Sequence, residues 1–189
     1  MADTISTFNK SLLALEAVRL ETRVVAAELS DKEALRNLFQ LYAYDFSEVE
    51  PADVDPTGRF KVPSLEAYWN ERWRFPSLLR VDEHLAGFAL VHQKSRLSGA
   101  DDVWDMAEFF VLRRHRRSEV GTRAAHILFE THAGAWEVRQ RAANTVATSF
   151  WRRAIAAFTA GSFTEELLDD ERWKGPVQRF ASRGRMVAG

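Results

Sequence analysis

One segment in the middle of the chain limits the possible folds more than any other. Residues 108–125, EFFVLRRHRRSEVGTRAA, pass from an apolar run through a basic loop into a stretch of small residues. The aromatic and β-branched run 109–112 predicts a strand, and the apolar spacing of 120–131 predicts a helix. A strand that leads through a short loop into a helix is a unit of α/β architecture. The sequence therefore predicts an α/β domain built around this junction.

The rest of the chain predicts more strands and helices in a regular order. Strands are predicted at 22–29, 78–81, 85–92, 105–112, 136–139, 163–168 and 177–180, and helices are predicted to begin at Ser30, Ser64, Val120 and Asn144. This order indicates a mixed, splayed β-sheet of six or seven strands flanked by about four helices. Phe8, Leu12 and Leu15 share one helical face, so residues 1–20 are predicted to be a helical N-terminal extension. Residues 21–189 are predicted to form a single domain.

Composition narrows the functional classes. The 189-residue chain has a net charge of −1, whereas a dedicated nucleic-acid binder is usually strongly basic. It contains no cysteine, which excludes disulfides, thiolate catalysis and cysteine-based zinc sites. No pair of its five histidines has the i, i+4 spacing of a helical zinc site, so no metal is expected. No apolar run reaches the ~20 residues that span a bilayer, and no signal peptide is apparent. We expect a cytoplasmic protein that binds neither membrane nor nucleic acid.

The basic loop 113–117 precedes the predicted helix and is a candidate anion site. Backbone N–H groups at a loop-to-helix junction form a concave nest for anions, and the helix dipole adds about half a positive charge there. A pyrophosphate suits such a site, and the four arginines of the loop would raise the local potential. A solvated basic loop is the alternative interpretation. A nucleic-acid surface would need interleaved aromatic residues, which this loop lacks.

Two motifs resemble those of the GNAT superfamily of acetyltransferases. Residues 116–121, RRSEVG, are similar to the family pattern Arg/Gln-x-x-Gly-x-Gly/Ala, which opens a helix after a strand. Residues 144–151, NTVATSFW, resemble the second family motif, Asn-x-x-Ala-x-x-Phe-Tyr. The resemblance extends from Val24 to the C-terminus. It implies that acetyl-CoA is a co-substrate and that an acetyl group passes directly to a primary amine of a small molecule or peptide.

The resemblance also implies which residues bind acetyl-CoA. The strand end would offer backbone groups to the pantetheine arm, the loop and helix start would bind the phosphates, and the second motif would add two contacts. These residues are Phe110, Val111, Leu112, Arg116, Arg117, Ser118, Glu119, Val120, Gly121, Thr122, Asn144 and Trp151. Glu119 occupies a position where the family has glycine. We expect it to adopt a left-handed conformation and to turn its carboxylate outward into the arginine cluster, or else to distort the nest.

Candidates for the catalytic base are carboxylates near the two motifs. Glu137, in the segment Trp136-Glu137-Val138-Arg139, resembles the proposed base of the ribosomal-protein N-terminal acetyltransferases and is the first candidate. Glu108, on the strand implied to carry the cofactor, is the second, and Asp105 is the third. Each has an alternative role as a partner in a salt bridge. Trp151 replaces the tyrosine that often serves the family as general acid, so a non-catalytic acyl-CoA-binding or regulatory domain is the alternative function.

The acceptor site is expected in the first half of the domain. The acidic stretch 47–63, the aromatic run 41–46, Tyr68, Trp69 and Phe88 are its candidate components. Acidic residues there would suit a cationic amine, but a solvated acidic loop is the interpretation that their composition favours. A homodimer is an assembly that the sequence leaves open.

Overall fold

A computed structural model describes residues 21–183, so the predicted N-terminal helix lies outside the described residues. The strands are β1 (Thr22–Ala26), β2 (Arg74–Val81), β3 (His84–His92), β4 (Val103–Val111), β5 (Gly134–Arg139), β6 (Thr164–Asp169) and β7 (Lys174–Ser182). The helices are α1 (Lys32–Phe46), α2 (Ala67–Asn70), α3 (Val120–Thr131) and α4 (Thr145–Thr159). Short 3-10 turns at Leu29–Asp31 and Arg113–His115 precede α1 and follow β4.

All seven strands of the described region form one sheet in the order β1-β2-β3-β4-β5-β7-β6. The β4–β5 pair is parallel, and the other neighbouring pairs are antiparallel. The mixed α/β sheet with four helices that the sequence predicted is therefore confirmed.

Apolar residues at helical spacing attach the helices to both faces of the sheet. Leu35, Leu38 and Phe39 of α1 pack with α2 and with Phe88 on one face. On the opposite face, α3 and α4 pack on β4 and β5 through a larger core that includes Phe129. The two helical layers bury the sheet between them, as its apolar strands require.

Some predicted boundaries were wrong around two prolines. The second helix, predicted to begin at Ser64, is limited to Ala67–Asn70, and the strand predicted at 78–81 begins at Arg74 and so includes Pro76. Pro76 is tolerated because its missing N–H falls on the β1 side, where β1 has just ended and Ala27 N–H donates to the Pro76 carbonyl. Pro176 likewise lies within β7.

The sheet opens between β4 and β5. Their pairing runs from Val103↔Ala135 to Met106↔Val138 and stops there, although β4 continues to Val111. The register between β3 and β4 shifts at the same point, since Val91 pairs with Met106 but Leu90 pairs with Glu108. Ala107 is therefore the extra residue of a β-bulge, which bends the strand locally. The predicted splay between these two strands is confirmed.

Candidate functional site: a cleft where the sheet opens

A cleft of about 700 Å³ lies at the opening between β4 and β5. On one side it is lined by Phe109 and by Asn144, Ala147 and Trp151 of the α4 region. The other side is formed by α1, α2 and the last residues of β3. The cleft thus connects the region of the two sequence motifs with the region in which an acceptor was expected.

The loop before α3 has the backbone geometry of an anion nest. Arg117 and Glu119 both have positive φ angles, 61° and 62°, and α3 begins directly after Glu119. Within residues 21–183, the backbone N–H groups of 117–122 make no hydrogen bond. Free N–H groups at a helix start, together with the helix dipole, favour a bound anion.

Glu119 adopts a left-handed backbone conformation, and its side chain points away from the free N–H groups of the loop. Its side chain is 74% exposed, and its carboxylate accepts a bond of 2.7 Å from the Arg123 guanidinium, one turn into α3. The predicted outward orientation is therefore observed, but the partner is Arg123 and not an arginine of the loop. Gly121 allows close helix packing, because a Cβ there would lie 3.2 Å from the Phe150 ring.

Two of the loop arginines are held by one carboxylate of α1. Arg113 donates to Asp45 Oδ1 at 2.7 Å, and Arg116 forms an ion pair with Asp45 Oδ2. Arg116 Nε also donates to the Val111 carbonyl at 2.7 Å. Arg114 and Arg117 are exposed. The free positive charge of the loop is therefore smaller than its four arginines suggested.

The end of β4 turns alternate backbone groups toward the gap. Leu112 N–H donates to Ala86 O of β3, and the Phe110 carbonyl also faces β3, where a Cβ on Gly87 would lie 1.9 Å from it. Because backbone groups alternate along a strand, those of Phe109 and Val111 point away from β3. Of the three predicted strand residues, Val111 therefore has backbone groups that are available to a ligand on that side, as does Phe109, whereas those of Phe110 and Leu112 are directed to β3.

The second motif contributes a cap and an aromatic wall. Asn144 Oδ1 accepts from Ala147 N–H at 3.0 Å, which stabilises the start of α4 as the sequence predicted. Trp151 is 5% exposed and packs edge-on against Phe109, with ring centroids 5.0 Å apart. Both residues also line the cleft, so they remain candidates for contact with a cofactor.

Glu108 is a carboxylate within the cleft. The Tyr42 hydroxyl of α1 donates to its Oε2 at 2.6 Å. Burial raises the pKa of Glu108, and the hydrogen bond from Tyr42 partly offsets that rise. Burial and the neighbouring carboxylate raise the pKa of Tyr42 as well, so this phenol remains a hydrogen-bond donor at neutral pH.

Glu137, the first candidate for the base, does not line the cleft. It is 6% exposed, receives a bond of 2.6 Å from the Ser95 hydroxyl and forms an ion pair of 2.8 Å with Arg179. Ser95 in turn accepts from the N–H groups of Leu97 and Ser98. These bonds make Glu137 an anchor for the β3–β4 loop.

Asp105, the third candidate, lines the cleft but is committed to a buried ion pair. Both of its oxygens accept from the Arg139 guanidinium, at 2.8–3.1 Å, and the two side chains are 1% and 5% exposed. Glu108 lies on the same side of β4 as Asp105 because of the bulge at Ala107. It forms no ion pair with an arginine among residues 21–183. Of the three carboxylates, Glu108 is thus the one that combines access to the cleft with freedom from an ion pair.

A tyrosine, a histidine and an arginine form a polar cluster further along the cleft. The Tyr68 hydroxyl lies 2.8 Å from His92 Nε2, and the Arg74 guanidinium lies 3.4 Å from the same nitrogen. Burial, aided by the charge of Arg74, lowers the pKa of His92 to about 4. Neutral His92 therefore accepts these bonds. Tyr42 belongs to the run 41–46 that the sequence offered for the acceptor site, but its bond to Glu108 was not predicted. Arg74 and His92 were not among the predicted site residues; the available signal was a polar group on an otherwise apolar face.

The acidic stretch contributes little to this cleft. Of its four carboxylates, Glu50 is the one that lines the cleft, and it lies 3.3 Å from Arg141. Asp55 instead accepts from the N–H groups of Thr57 and Arg59 within its own turn. Trp69 donates to Ala27 O, and Phe88 is fully buried, so both have structural roles.

Two other classes of site do not occur in the described region. Residues 21–183 contain no group of three or more His, Cys, Asp or Glu side chains arranged to hold a metal ion. None of the helices in this region has the length and apolar character needed to cross a bilayer.

Solved structures with similar topology identify the fold. An acetyltransferase from Thermus thermophilus aligns over 86% of this chain and 97% of its own, with a TM-score of 0.60 and 14% identity. A GNAT-family acetyltransferase from Staphylococcus aureus aligns over 86% and 100%, with a TM-score of 0.55 and 12% identity. This chain has the GNAT fold.

A GNAT-fold enzyme solved with ligands is also similar. Spermidine N-acetyltransferase from Vibrio cholerae, in complex with CoA and spermine, aligns over 85% of this chain and 95% of its own, with a TM-score of 0.55 and 10% identity. No protein-family model and no curated protein sequence matches the chain. At these identities the likeness concerns the fold.

Proposed function

We propose that this chain is an N-acetyltransferase that transfers the acetyl group of acetyl-CoA to a primary amine in a ternary complex. The observation that supports it best is the row of unbonded N–H groups at 117–122 beside the gap between β4 and β5. These donors suit the pyrophosphate of CoA. The backbone groups of Phe109 and Val111 that point away from β3 suit the amides of the pantetheine arm, and Asn144 and Trp151 lie on the same side of the cleft as Phe109.

Arg116 and Arg117 would assist at the phosphates in different ways. Arg117 is exposed and has no partner among residues 21–183, so its guanidinium is available to a phosphate. Arg116 must first exchange its bonds to Asp45 and to the Val111 carbonyl. Ser118, Val120, Gly121 and Thr122 would act through their backbone N–H groups.

Glu108 is the proposed general base. The amine nitrogen attacks the thioester carbon, a C–N bond forms, and the C–S bond breaks to release CoA thiolate. A primary amine has a pKa of ~10 and must lose a proton to react. Glu108 accepts that proton, directly or through water. A buried carboxylate with a raised pKa is a stronger base than an exposed one, and Tyr42 orients it.

The experiment couples binding with turnover. Calorimetry with acetyl-CoA measures the first half of the proposal, and release of CoA thiol across a panel of primary amines measures the second. We expect acetyl-CoA to bind to the wild type and to a Glu108→Gln variant with similar affinity, while only the wild type turns over. A protein that does not bind acetyl-CoA would contradict the proposal.

A non-catalytic acyl-CoA-binding or regulatory domain is the second candidate. It is favoured by Trp151, which is buried against Phe109 and offers no acidic proton to a leaving thiolate. Under this alternative, acetyl-CoA binds tightly and no amine in the panel is acetylated. The same two measurements therefore separate the two functions.

A further inference from the structure

The end of the cleft beyond Glu108 is rich in cations. Arg74 and His92 pair across β2 and β3, and His92 pairs with Asp105 of β4, so these residues lie in one row on the cleft side of the sheet. The β3–β4 loop adds Lys94 and Arg96 to the lining, and β5 adds Arg139. We call Arg74, Lys94, Arg96 and Arg139 the cationic end of the cleft.

The four cations differ in how far they are neutralised. Arg139 is fully paired with buried Asp105. Arg74 forms an ion pair of 2.8 Å with Glu71, whose side chain is 39% exposed. Lys94 Nζ lies 3.6 Å from Asp101 Oδ1, and the Asp101 side chain is 85% exposed. Arg96 has no ion-pair or hydrogen-bond partner within residues 21–183. Arg96 therefore contributes its full positive charge to the cleft. The carboxylates of Glu71 and Asp101 reach solvent, which screens them, and they only partly offset Arg74 and Lys94.

The loop that carries Arg96 is held in place by buried hydrogen bonds. Ser95 is 2% exposed, donates to Glu137 and accepts from Leu97 and Ser98 N–H. Ser95 N–H also donates to Ala100 O at 2.8 Å. The Arg96 backbone is therefore ordered before any ligand binds, which reduces the entropic cost of binding.

Free negative charge is scarce in the same cleft. Three carboxylates line it, and two of these, Glu50 and Asp105, face arginines. The third, Glu108, is the proposed base. A diamine or polyamine would need a further unpaired carboxylate for its second ammonium group, and the described lining does not offer one. The charge distribution therefore opposes a polycationic acceptor.

We propose that the acceptor is a primary amine that also bears a carboxylate, whose anionic group binds Arg96 and Arg74 while its amine faces Glu108. This rests on the proposed acetyltransferase function and names the substrate class of the same cleft. Guanidinium groups recognise carboxylates through charge-assisted, often bidentate hydrogen bonds. His92, whose Nε2 lies 3.4 Å from the Arg74 guanidinium, is neutral and carries no negative charge that would compete with a carboxylate for the arginines.

The experiment compares amines that differ only in their second group. Steady-state kcat/KM is measured for 4-aminobutyrate, butylamine and 1,4-diaminobutane, with phenylalanine, phenethylamine and phosphoethanolamine as further arms. We expect the carboxylate-bearing amines to exceed their neutral and dicationic counterparts by about tenfold or more, as a charged hydrogen bond implies. Phosphoethanolamine separates a phosphate preference from a carboxylate preference.

Variants of Arg96 test the assignment. Arg96→Ala should raise KM for 4-aminobutyrate about tenfold and leave kcat/KM for butylamine unchanged. Arg96→Glu should make 1,4-diaminobutane the better acceptor. Arg72→Ala is the control, because Arg72 is exposed in the same region and does not line the cleft. Equal use of all three four-carbon amines by the wild type would overturn the proposal.

Failure of the acetyltransferase proposal is recognisable separately. If no amine is acetylated, calorimetry of 4-aminobutyrate with the CoA-loaded protein still tests the substrate class. Binding that is lost in Arg96→Ala and retained in Arg72→Ala supports the carboxylate site, whereas no binding by the wild type rejects it.

Discussion

Tyr42 Oη lies 2.6 Å from Glu108 Oε2 and joins the first helix of the domain to the strand that borders the cleft. This bond links α1, which forms part of the wall where the acceptor is proposed to bind, to the proposed base. It holds the carboxylate in one orientation and compensates part of the cost of burying its charge.

Glu108→Gln should abolish turnover and stabilise the fold. The folded-state pKa of Glu108 lies above its usual value because the group is buried, so the stability that it contributes is present at low pH and is lost as pH rises through the folded pKa. Glutamine carries no charge and still accepts the Tyr42 bond. Thermal unfolding at pH 7.5 is expected to give a higher Tm for the variant, by a few degrees as ~1 kcal/mol implies. A lower Tm, or retained activity, would count against this role.

Tyr42→Phe should shift the acidic limb of the pH–rate profile. The tyrosine hydrogen bond lowers the pKa of Glu108, so its removal raises that pKa. The base is active when ionised, and the kcat/KM profile should therefore fall off at a higher pH than in the wild type. An unshifted acidic limb would separate Tyr42 from the base. Tyr44→Phe is a suitable control, because Tyr44 lies on the same helix and is 61% exposed.

Glu137→Gln should affect acceptor binding more than the chemical step. Glu137 anchors Ser95 and pairs with Arg179, so its loss loosens the loop that carries Lys94 and Arg96. We expect KM for the acceptor to rise several-fold, with kcat and acetyl-CoA affinity nearly unchanged. A loss of kcat comparable to that of Glu108→Gln would return Glu137 to the role of base.

Glu119→Gly should tighten acetyl-CoA binding modestly. The Glu119 carboxylate adds repulsion near two phosphates, and glycine removes it. The strain of roughly 1–2 kcal/mol that a non-glycine residue carries at φ 62° is already present without ligand, so its relief raises folding stability and not affinity. The ion pair with Arg123 is exposed and its loss costs little. Calorimetry at low and high salt is expected to show a gain that shrinks as salt rises. A clear loss of affinity would mean that Glu119 supports the site.

His92 should titrate near pH 4 in the folded protein. Burial and the charge of Arg74 lower the pKa of His92 to about 4, below its ordinary value of 6.5. Its contribution to stability is thus present above pH 6.5 and is lost as pH falls toward 4. NMR titration of the imidazole carbon-bound protons measures this directly. An Arg74→Gln variant should titrate at a higher pH, and an unperturbed value in the wild type would contradict the buried geometry.

The sequence predicted those features that depend on neighbours along the chain. The strand, basic loop and helix of 108–125, the Asn144 cap and the left-handed Glu119 all follow from local chemistry. The side-chain pairs that it could not predict join parts of the chain that are far apart in sequence. Tyr42 meets Glu108 across 66 positions, and Ser95 meets Glu137 across 42, so no local pattern could reveal those pairs.

The bulge at Ala107 also bears on how a chain of this kind can change. Asp105 and Glu108 are three positions apart and would face opposite sides of a regular strand, yet both line the cleft. Ala107 is the residue that absorbs this difference in phase, because Val91 pairs with Met106 and Leu90 pairs with Glu108. Deleting Ala107 would restore a regular strand and leave Glu108 and Phe109 on their present sides, whereas deleting a regularly paired residue such as Phe109 would exchange the sides of the residues that follow it. A one-residue change in the length of β4 is therefore compatible with the site at the bulge and alters the site elsewhere in the strand. Homologous chains are best compared by the phase of β4 and not by residue identity alone.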